Sequence, residues 1–287
     1  MYEIKRKAVL GPAINLFDVV APEIARKAQA GQFIILRQNE WGERIPLTIA
    51  DYDRERGLIT IIFQEVGRST IDLGKMEAGD KILDFVGPLG RPSEIDKYGN
   101  VVCVGGGVGI APLYPITREL FAAGNKIVSV IGARSREVLI WEDKMRSVSN
   151  EIHIATDDGS YGTKGFVTDI LKEVLNGEKI DMVLAIGPLV MMQSVSELTR
   201  THGIKTLVSL NPIMLDGTGM CGACRVQVNG EIKFACVDGP EFDGHEVDWE
   251  NARSRALMFK EEERIALQSE RKHSHGEEGG CECQREK

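Results

Sequence analysis

Three thiols and a carboxylate stand close together towards the end of the chain, in Asp216-Gly-Thr-Gly-Met-Cys221-Gly-Ala-Cys224 and then Cys236. Thiolates at this spacing are soft donors for iron or zinc. With Asp216 in the first ligand position the pattern is that of a plant-type 2Fe-2S site, C-x4-C-x2-C…C. A carboxylate replaces a thiolate with the same formal charge, and its harder oxygen shifts the potential. Gly217, Gly219 and Gly222 let the loop curl so that backbone N–H groups can face the sulfurs. Two other readings stay open. One is a zinc knuckle that recruits Asp216 or His245 as fourth ligand. The other makes Asp216 a loop-turn residue and takes the fourth ligand from elsewhere, such as the tail pair Cys281 and Cys283. That pair, beside His273 and His275, otherwise reads as adventitious or non-binding.

A second chemistry is written in glycines. In Val101-Val-Cys-Val-Gly105-Gly106-Gly107-Val108-Gly109-Ile110-Ala111-Pro112 they separate an apolar strand from a helix. A pyrophosphate can then meet bare backbone N–H groups and a helix N-terminus. Gly187-Pro188 closes another strand in the same way. The plain alternative for both is a tight turn in an α/β fold. Gly132-Ala-Arg134-Ser-Arg136 offers arginines to a 2'-phosphate, against Glu137, Glu142 and Asp143; solvated surface arginines explain them as well, so NAD(H) and NADP(H) both stay open. Earlier in the chain Arg44-Ile-Pro46-Leu47-Thr48 begins a strand and Val66-Gly67-Arg68-Ser69-Thr70 opens a short helix. These offer a charged fork, backbone N–H groups and hydroxyls to a phosphate, although an exposed arginine and a helix cap account for them too.

The elements that must hold these groups fall into blocks. Residues 1–98 carry short β-rich runs (7–10, 15–20, 33–37, 58–65, 81–85) broken by turns, which predicts a small antiparallel barrel. From residue 99 apolar strands at 101–104, 126–132, 152–155, 182–187 and 205–210 alternate with helical patterns, which predicts an open parallel sheet over 99–210. Residues 211–247 are rich in Gly and Cys with little room for a core, so a bound metal should supply much of their order. Residues 248–272 read as one charged helix and 273–287 as disordered; the two make up a last block, 248–287.

Composition narrows the function. Lys+Arg number 35 against Asp+Glu 43, a net charge of −8, which repels phosphate backbones and argues against nucleic acid as a partner. No run is long and apolar enough for a membrane span, the N-terminus shows no signal segment, and crowded thiols suit a reducing compartment, so a cytoplasmic protein is expected.

Barrel with R-x-P-L-T and G-x-S-T, then GGGxGxAP, then a ferredoxin-like Cys loop: this order over about residues 1–245 resembles the ferredoxin reductase superfamily. Within it the cluster loop looks like those of the electron-transfer subunits of dihydroorotate dehydrogenase and of NADH-dependent ferredoxin:NADP+ oxidoreductase. The resemblance implies FAD on Arg44, Pro46, Leu47, Thr48, Phe63, Gly67, Arg68, Ser69 and Thr70. It implies the nicotinamide nucleotide on residues 105–112 (Gly105, Gly106, Gly107, Val108, Gly109, Ala111 and Pro112 among them), Arg134, Asp158, Gly159, Gly187 and Pro188. Two departures matter. The superfamily's usual flavin motif is R-x-Y-S, whereas here Leu47 replaces the aromatic and Arg44 lies one residue further upstream. Orotate-linked subunits usually have four cysteines, so Asp216 and the charged C-terminal helix favour the ferredoxin:NADP+ type. The expected role is an electron-transfer subunit that links NAD(H), FAD and a 2Fe-2S cluster to a larger subunit carrying flavin and 4Fe-4S clusters, which acts on ferredoxin and NADP(H). Hydride transfer of this kind needs no acid or base, and no catalytic side chain is expected. A stand-alone reductase and a cluster-based redox sensor are the rival readings.

Overall fold

The computed structural model describes residues 1–274. The first block comprises β1 (Tyr2–Gly11), β2 (Ile14–Val20), α1 (Pro22–Lys27), β3 (Phe33–Arg37), β4 (Ile45–Asp53), β5 (Leu58–Gln64), α2 (Arg68–Gly74), β6 (Lys81–Ile82) and β7 (Asp84–Leu89). Its strands pair antiparallel in the order β6-β1-β2-β5-β4-β3-β7. The two edge strands are separated in sequence by Leu83 alone. The sheet must therefore curl until its edges nearly meet, which makes a nearly closed barrel. Alternate residues fill it, with Phe17, Val19, Ile34, Leu36, Ile49, Ile59, Ile61 and Phe63 all buried in one core.

The second block begins with β8 (Asn100–Gly106), a 3-10 turn (Gly107–Gly109) and α3 (Ile110–Ala122). It continues through β9 (Lys126–Ala133), α4 (Glu142–Ser147), β10 (Glu151–Thr156), β11 (Thr163–Lys164), α5 (Val167–Gly177), β12 (Met182–Ile186), α6 (Leu189–Arg200) and β13 (Lys205–Ser209). Strand β8 is apolar on both sides because both faces are covered. Val102 and Val104 join the core under α5 and α6, while Val101 and Cys103 join that under α3, which also takes in Ile14, Leu16 and Ile62 of the barrel. The two blocks thus share a continuous core.

Three expectations need correcting. The sheet order is β11-β10-β9-β8-β12-β13-β16, and β16 (Glu241–Asp243) runs antiparallel to β13, so the sheet is parallel except at this edge. The Cys-rich stretch is not without a core. It forms the hairpin β14 (Arg225–Val228) and β15 (Glu231–Phe234), and Met214, Cys224, Val226, Val228, Ala235, Phe242 and Val247 pack with Leu171 and Val195 of the neighbouring helices. A segment too short to enclose its own interior shares its neighbour's. Third, the single charged helix is two, α7 (Trp249–Ala256) and α8 (Lys260–Ser274). Phe259 stands at φ 65°, a left-handed conformation through which no α-helix continues. Helix α8 reaches Ser274, so His273 is helical; His275, Cys281 and Cys283 lie outside the described residues.

Candidate functional site

From β8 the chain steps to β9 and β10 on one side, then returns to place β12 on the other side of β8. The C-terminal ends of β8 and β12 therefore flank a topological switch point, where an open α/β sheet leaves a crevice. The glycines are demanded by how closely the two turns approach. A Cβ on Gly109 would sit 2.5 Å from the Ile186 carbonyl oxygen, and one on Gly106 would sit 2.5 Å from Met191 Sδ. Gly107, at φ 55°, faces open space. Val108, Ala111 and Pro112 follow in the turn and first helical residues of α3, and Gly187-Pro188 leads into α6. This cradle of bare backbone beside a helix start fits a nucleotide pyrophosphate.

At the ends of β9 and β10 the Asp157 and Asp158 N–H groups donate to the carbonyls of Ala133 and Arg134, joining the two strand ends into one ledge with Gly159. Arg136 is occupied. It pairs with Glu142 at 3.4 Å and lies over the Tyr161 ring at 4.5 Å. Burial acts to raise Glu142, but hydrogen bonds from Arg146 and Tyr161 and the charge of Arg136 outweigh it and hold the carboxyl below its ordinary value. Arg134 is exposed and makes no ion pair among the described residues.

In the barrel, Ile45, Leu47 and Ile49 turn inwards against the core, so alternation sends Pro46 and Thr48 to the outer face. Leu47 is half-buried and packs against the barrel core. The Phe63 ring is 2% exposed and meets Phe17 edge-on at 5.1 Å inside the barrel, so it presents no ring to the outer face. Arg44 is exposed ahead of β4. At the start of α2 the Thr70 hydroxyl accepts the N–H groups of Val66 and Gly67 at 3.0 and 3.1 Å, which makes it a helix cap. Ser69 donates to Glu43 at 2.6 Å, and Arg68 lies 3.8 Å from Asp72. What this end still offers an anion is its unpaired first-turn N–H groups.

The thiol loop turns through Gly217, Gly219 and Gly222 at φ 74°, 81° and 67°. Asp216 accepts the Thr218 N–H at 2.9 Å through Oδ1 and the Cys221 N–H at 2.7 Å through Oδ2. These bonds, that from Thr218 foremost, hold its carboxyl below the usual range. They are the bonds of a turn aspartate, and they leave further lone pairs free. Cys224 and Cys236 are buried and Cys221 is exposed. The Cys236 thiol is pushed up to about 12, by burial first and then by Cys224 and Asp216, with only the Gly219 N–H acting against them. Acidic donors crowded in this way suit a cationic iron–sulfur core, which supplies the missing positive charge. His245 is engaged elsewhere, its Nε2 3.0 Å from Thr199 Oγ1. Among the described residues no three His, Cys, Asp or Glu side chains form a single-ion site.

The three motif sets meet around β3, β4 and β5. The Gly107–Gly109 turn packs on β5, and α3 packs on β4. Ile35 of β3 lies opposite Pro46 in register. A Cβ on Gly217 would be 2.6 Å from Leu89 and 2.9 Å from Ile35, so the thiol loop rests on the strand next to Pro46. Sequence reasoning missed one contact with this loop: Arg255 of α7 donates from Nη2 to the Ala223 carbonyl at 2.8 Å. A lone arginine in a charged helix carries no local signal of such a role.

Residues 211–248 match the family model for the iron-sulfur cluster binding domain of dihydroorotate dehydrogenase B, and residues 103–197 match the oxidoreductase NAD-binding domain. A dihydroorotate dehydrogenase B (NAD(+)) electron transfer subunit homolog from Thermotoga maritima is 49% identical over 93% of this chain and 94% of its own length. An electron transfer subunit of dihydroorotate dehydrogenase B from Desulforamulus reducens is 34% identical, over 87% of this chain and 99% of that protein. Among solved structures, a chain of an NADH-dependent reduced ferredoxin-NADP oxidoreductase is 48% identical with a TM-score of 0.89, covering 94% of this chain and 97% of that one. An Amycolatopsis cytochrome P450 reductase, 22% identical with a TM-score of 0.60 over 69% of this chain and 65% of that one, shares the fold alone. The chain thus belongs to the family of dihydroorotate dehydrogenase B electron transfer subunits and their homologues, oxidoreductase subunits that join a NAD-binding domain and an iron-sulfur domain on a ferredoxin reductase fold.

Proposed function

We propose that this chain is the electron-wiring subunit of a heteromeric oxidoreductase of the NADH-dependent ferredoxin:NADP+ type. The observation that carries the reading is the convergence of the Gly-rich turn, the outer face of β4 and the thiol loop on three adjacent barrel strands. The 48% identity to a chain of that oxidoreductase, over nearly the whole of both chains, supports the choice of type. The partner is a larger subunit with flavin and 4Fe-4S clusters, through which ferredoxin and NADP(H) are reached. The working units are a flavin barrel (1–98), a nucleotide domain (99–210), a cluster subdomain (211–247) and a helical end (248–287). No helix among the described residues is long and apolar enough to cross a membrane, and the free thiols suit the reducing cytoplasm.

Bound together, NAD(H), FAD and a 2Fe-2S cluster supply hydride acceptance and its division into single electrons. The chain's own work is placement. Gly105, Gly106, Gly109 and Gly187 bring two turns close enough to present backbone N–H groups to a pyrophosphate. Pro46 and Thr48 face outwards, where they would line the flavin, and the first-turn N–H groups of α2 would be available to its phosphates. Asp216, Cys221, Cys224 and Cys236 hold the cluster. No side chain moves a proton, and none is named catalytic. Arg136 is held by Glu142, and the acidic Glu137, Glu142 and Asp143 beside the ledge would repel a 2'-phosphate, which favours NADH.

The test is to purify the native untagged complex, identify the co-purifying chain, and measure flavin and iron in the same sample. NADH should reduce the flavin of the isolated chain, and ferredoxin turnover should appear only with the partner present. A stand-alone reductase predicts turnover without a partner; a pure sensor predicts no flavin reduction. The match of residues 211–248 to the dihydroorotate dehydrogenase B domain keeps a second reading in view. Oxidation of dihydroorotate by the purified complex would replace the first reading with that one.

A further inference from the structure

Helix α7 is fastened to the cluster subdomain at its start. Asp248 caps it by accepting the Asn251 N–H at 2.9 Å, while its own N–H donates to Gln227 of β14. Trp249 is buried in the shared core and donates from its ring nitrogen to the Gly244 carbonyl at 3.1 Å. Two turns further on, this anchored helix delivers Arg255 to the Ala223 carbonyl, between Cys221 and Cys224. Residue 255 lies beyond the matched cluster domain, which ends at 248.

The contact leaves a conspicuous imbalance. Arg255 Nε is buried with no hydrogen-bond partner, and the one partner of the guanidinium among the described residues is the neutral Ala223 carbonyl. A part-buried cation without a counter-ion is costly, and native proteins rarely tolerate one. The ligand loop it touches supplies the missing charge. With two ferric ions, two sulfides and four singly negative ligands, a 2Fe-2S centre held here would carry two net negative charges, and its one-electron reduced state three.

We propose that Arg255 is a positioning and potential-setting residue for the cluster: it holds the Cys221–Cys224 loop through Ala223, and its charge favours the reduced state. This rests on the cluster assignment made above. A fixed cation near the centre gains more from three negative charges than from two, so it raises the midpoint potential.

The test is a redox titration of the holo complex, followed by the electron paramagnetic resonance signal of the reduced cluster, on wild type, Arg255→Gln, Arg255→Lys and Arg253→Gln. Iron is counted in each. Arg253 is exposed and two residues away, hence on another face of the helix. Arg255→Gln should lower the potential enough to change the oxidised-to-reduced ratio at least tenfold at fixed solution potential, about 59 mV for one electron. Arg255→Lys should recover most of that shift, and Arg253→Gln should cause none. An unmoved potential in Arg255→Gln with full iron overturns the proposal. So does a lysine variant that behaves like the glutamine one, or an equal shift from Arg253→Gln. If Arg255→Gln loses its iron, the lysine variant decides: a cluster of near wild-type potential supports the proposal, and loss of the cluster there too overturns it. A wild-type complex with no two-iron signal would instead refute the cluster assignment itself.

Discussion

Replacing Gly109 by alanine isolates the nucleotide crevice from the rest of the molecule. The added methyl carbon would lie 2.5 Å from the Ile186 carbonyl oxygen and 2.7 Å from Gly187 Cα. Both atoms are backbone, so no side chain can swing aside. Ordinary contact begins at 3.4 Å, and the β8–α3 and β12–α6 turns must therefore part by about 0.9 Å. Overpacking of this kind costs about 1–3 kcal/mol of stability, which a domain of this size survives. The effect on reaction is larger, because a misplacement of about 1 Å at a reacting centre lowers the rate by roughly 100-fold. Anaerobic stopped-flow reduction of the flavin by NADH measures this directly, with NAD+ titration for affinity and FAD and iron content as controls. We expect flavin reduction at subsaturating NADH to fall about 10- to 100-fold with FAD and iron retained. Gly177→Ala, whose new methyl meets nothing within 4 Å, should behave as wild type. Wild-type affinity and rate in Gly109→Ala would refute the reasoning, as would simultaneous loss of FAD and iron, which would mark a global collapse.

Asp51 of β4 ties the barrel to the nucleotide domain, accepting from Arg118 and Lys144, each at 2.7 Å. Burial acts to raise its carboxyl, but the hydrogen bonds and charges of Lys144 and Arg118 outweigh it and hold it below the ordinary range. Asp51→Asn should cost about 2 kcal/mol, or about 5 °C in Tm near pH 7. Because the folded-state pKa is depressed, this contribution is present above the unfolded value and lost as pH falls through the folded one, so the variant and wild type should converge in acid. Equal melting near neutrality would sink the idea. Glu241 shows the opposite sign: burial, and then the charge of Glu94, push its carboxyl up to about 7, although the Ser93 hydroxyl donates to it. Its folded-state pKa is raised, so wild-type stability is full below the unfolded value near 4.3 and declines as pH rises towards 7. Glu241→Gln should remove that decline and be more stable at pH 8 by about 3 kcal/mol; thermal melts across pH 4–8 that stay parallel would contradict this. Asp216→Ala should lose the cluster, read as iron content and visible absorbance. A fully loaded alanine variant would reduce Asp216 to the turn role that its two N–H bonds already serve.

Much of the architecture was legible because it is local. Gly-rich turns after apolar strands, a Cys-x2-Cys loop threaded with glycines, and short β runs ahead of them each declare themselves within a dozen residues. The site was less legible on the barrel. Leu47 and Phe63 belong to strands whose inward and outward faces depend on register with β3 and β2, and a strand's alternation tells which residues share a face but not which face meets the core. Thr70 is the reverse case. Its place three residues after Gly67 announces a cap, and the hydroxyl is spent on that cap.

What the sequence determined alone was the set of chemistries: which donors stand at which spacing, and which turns can present bare backbone to a phosphate. Those follow from residue types and short-range geometry. Tertiary structure decided how the pieces are wired. Gly217 rests on Ile35 and Leu89, the Gly107–Gly109 turn rests on β5, and Arg255 reaches Ala223 from a helix beyond the ligand loop. These contacts join residues far apart in the chain, and only the closure of the barrel and the pairing order of the second sheet bring them together. The thiol loop is marked as a redox site by its spacing, but the strands beneath it and the arginine that reaches it from α7 come from the fold.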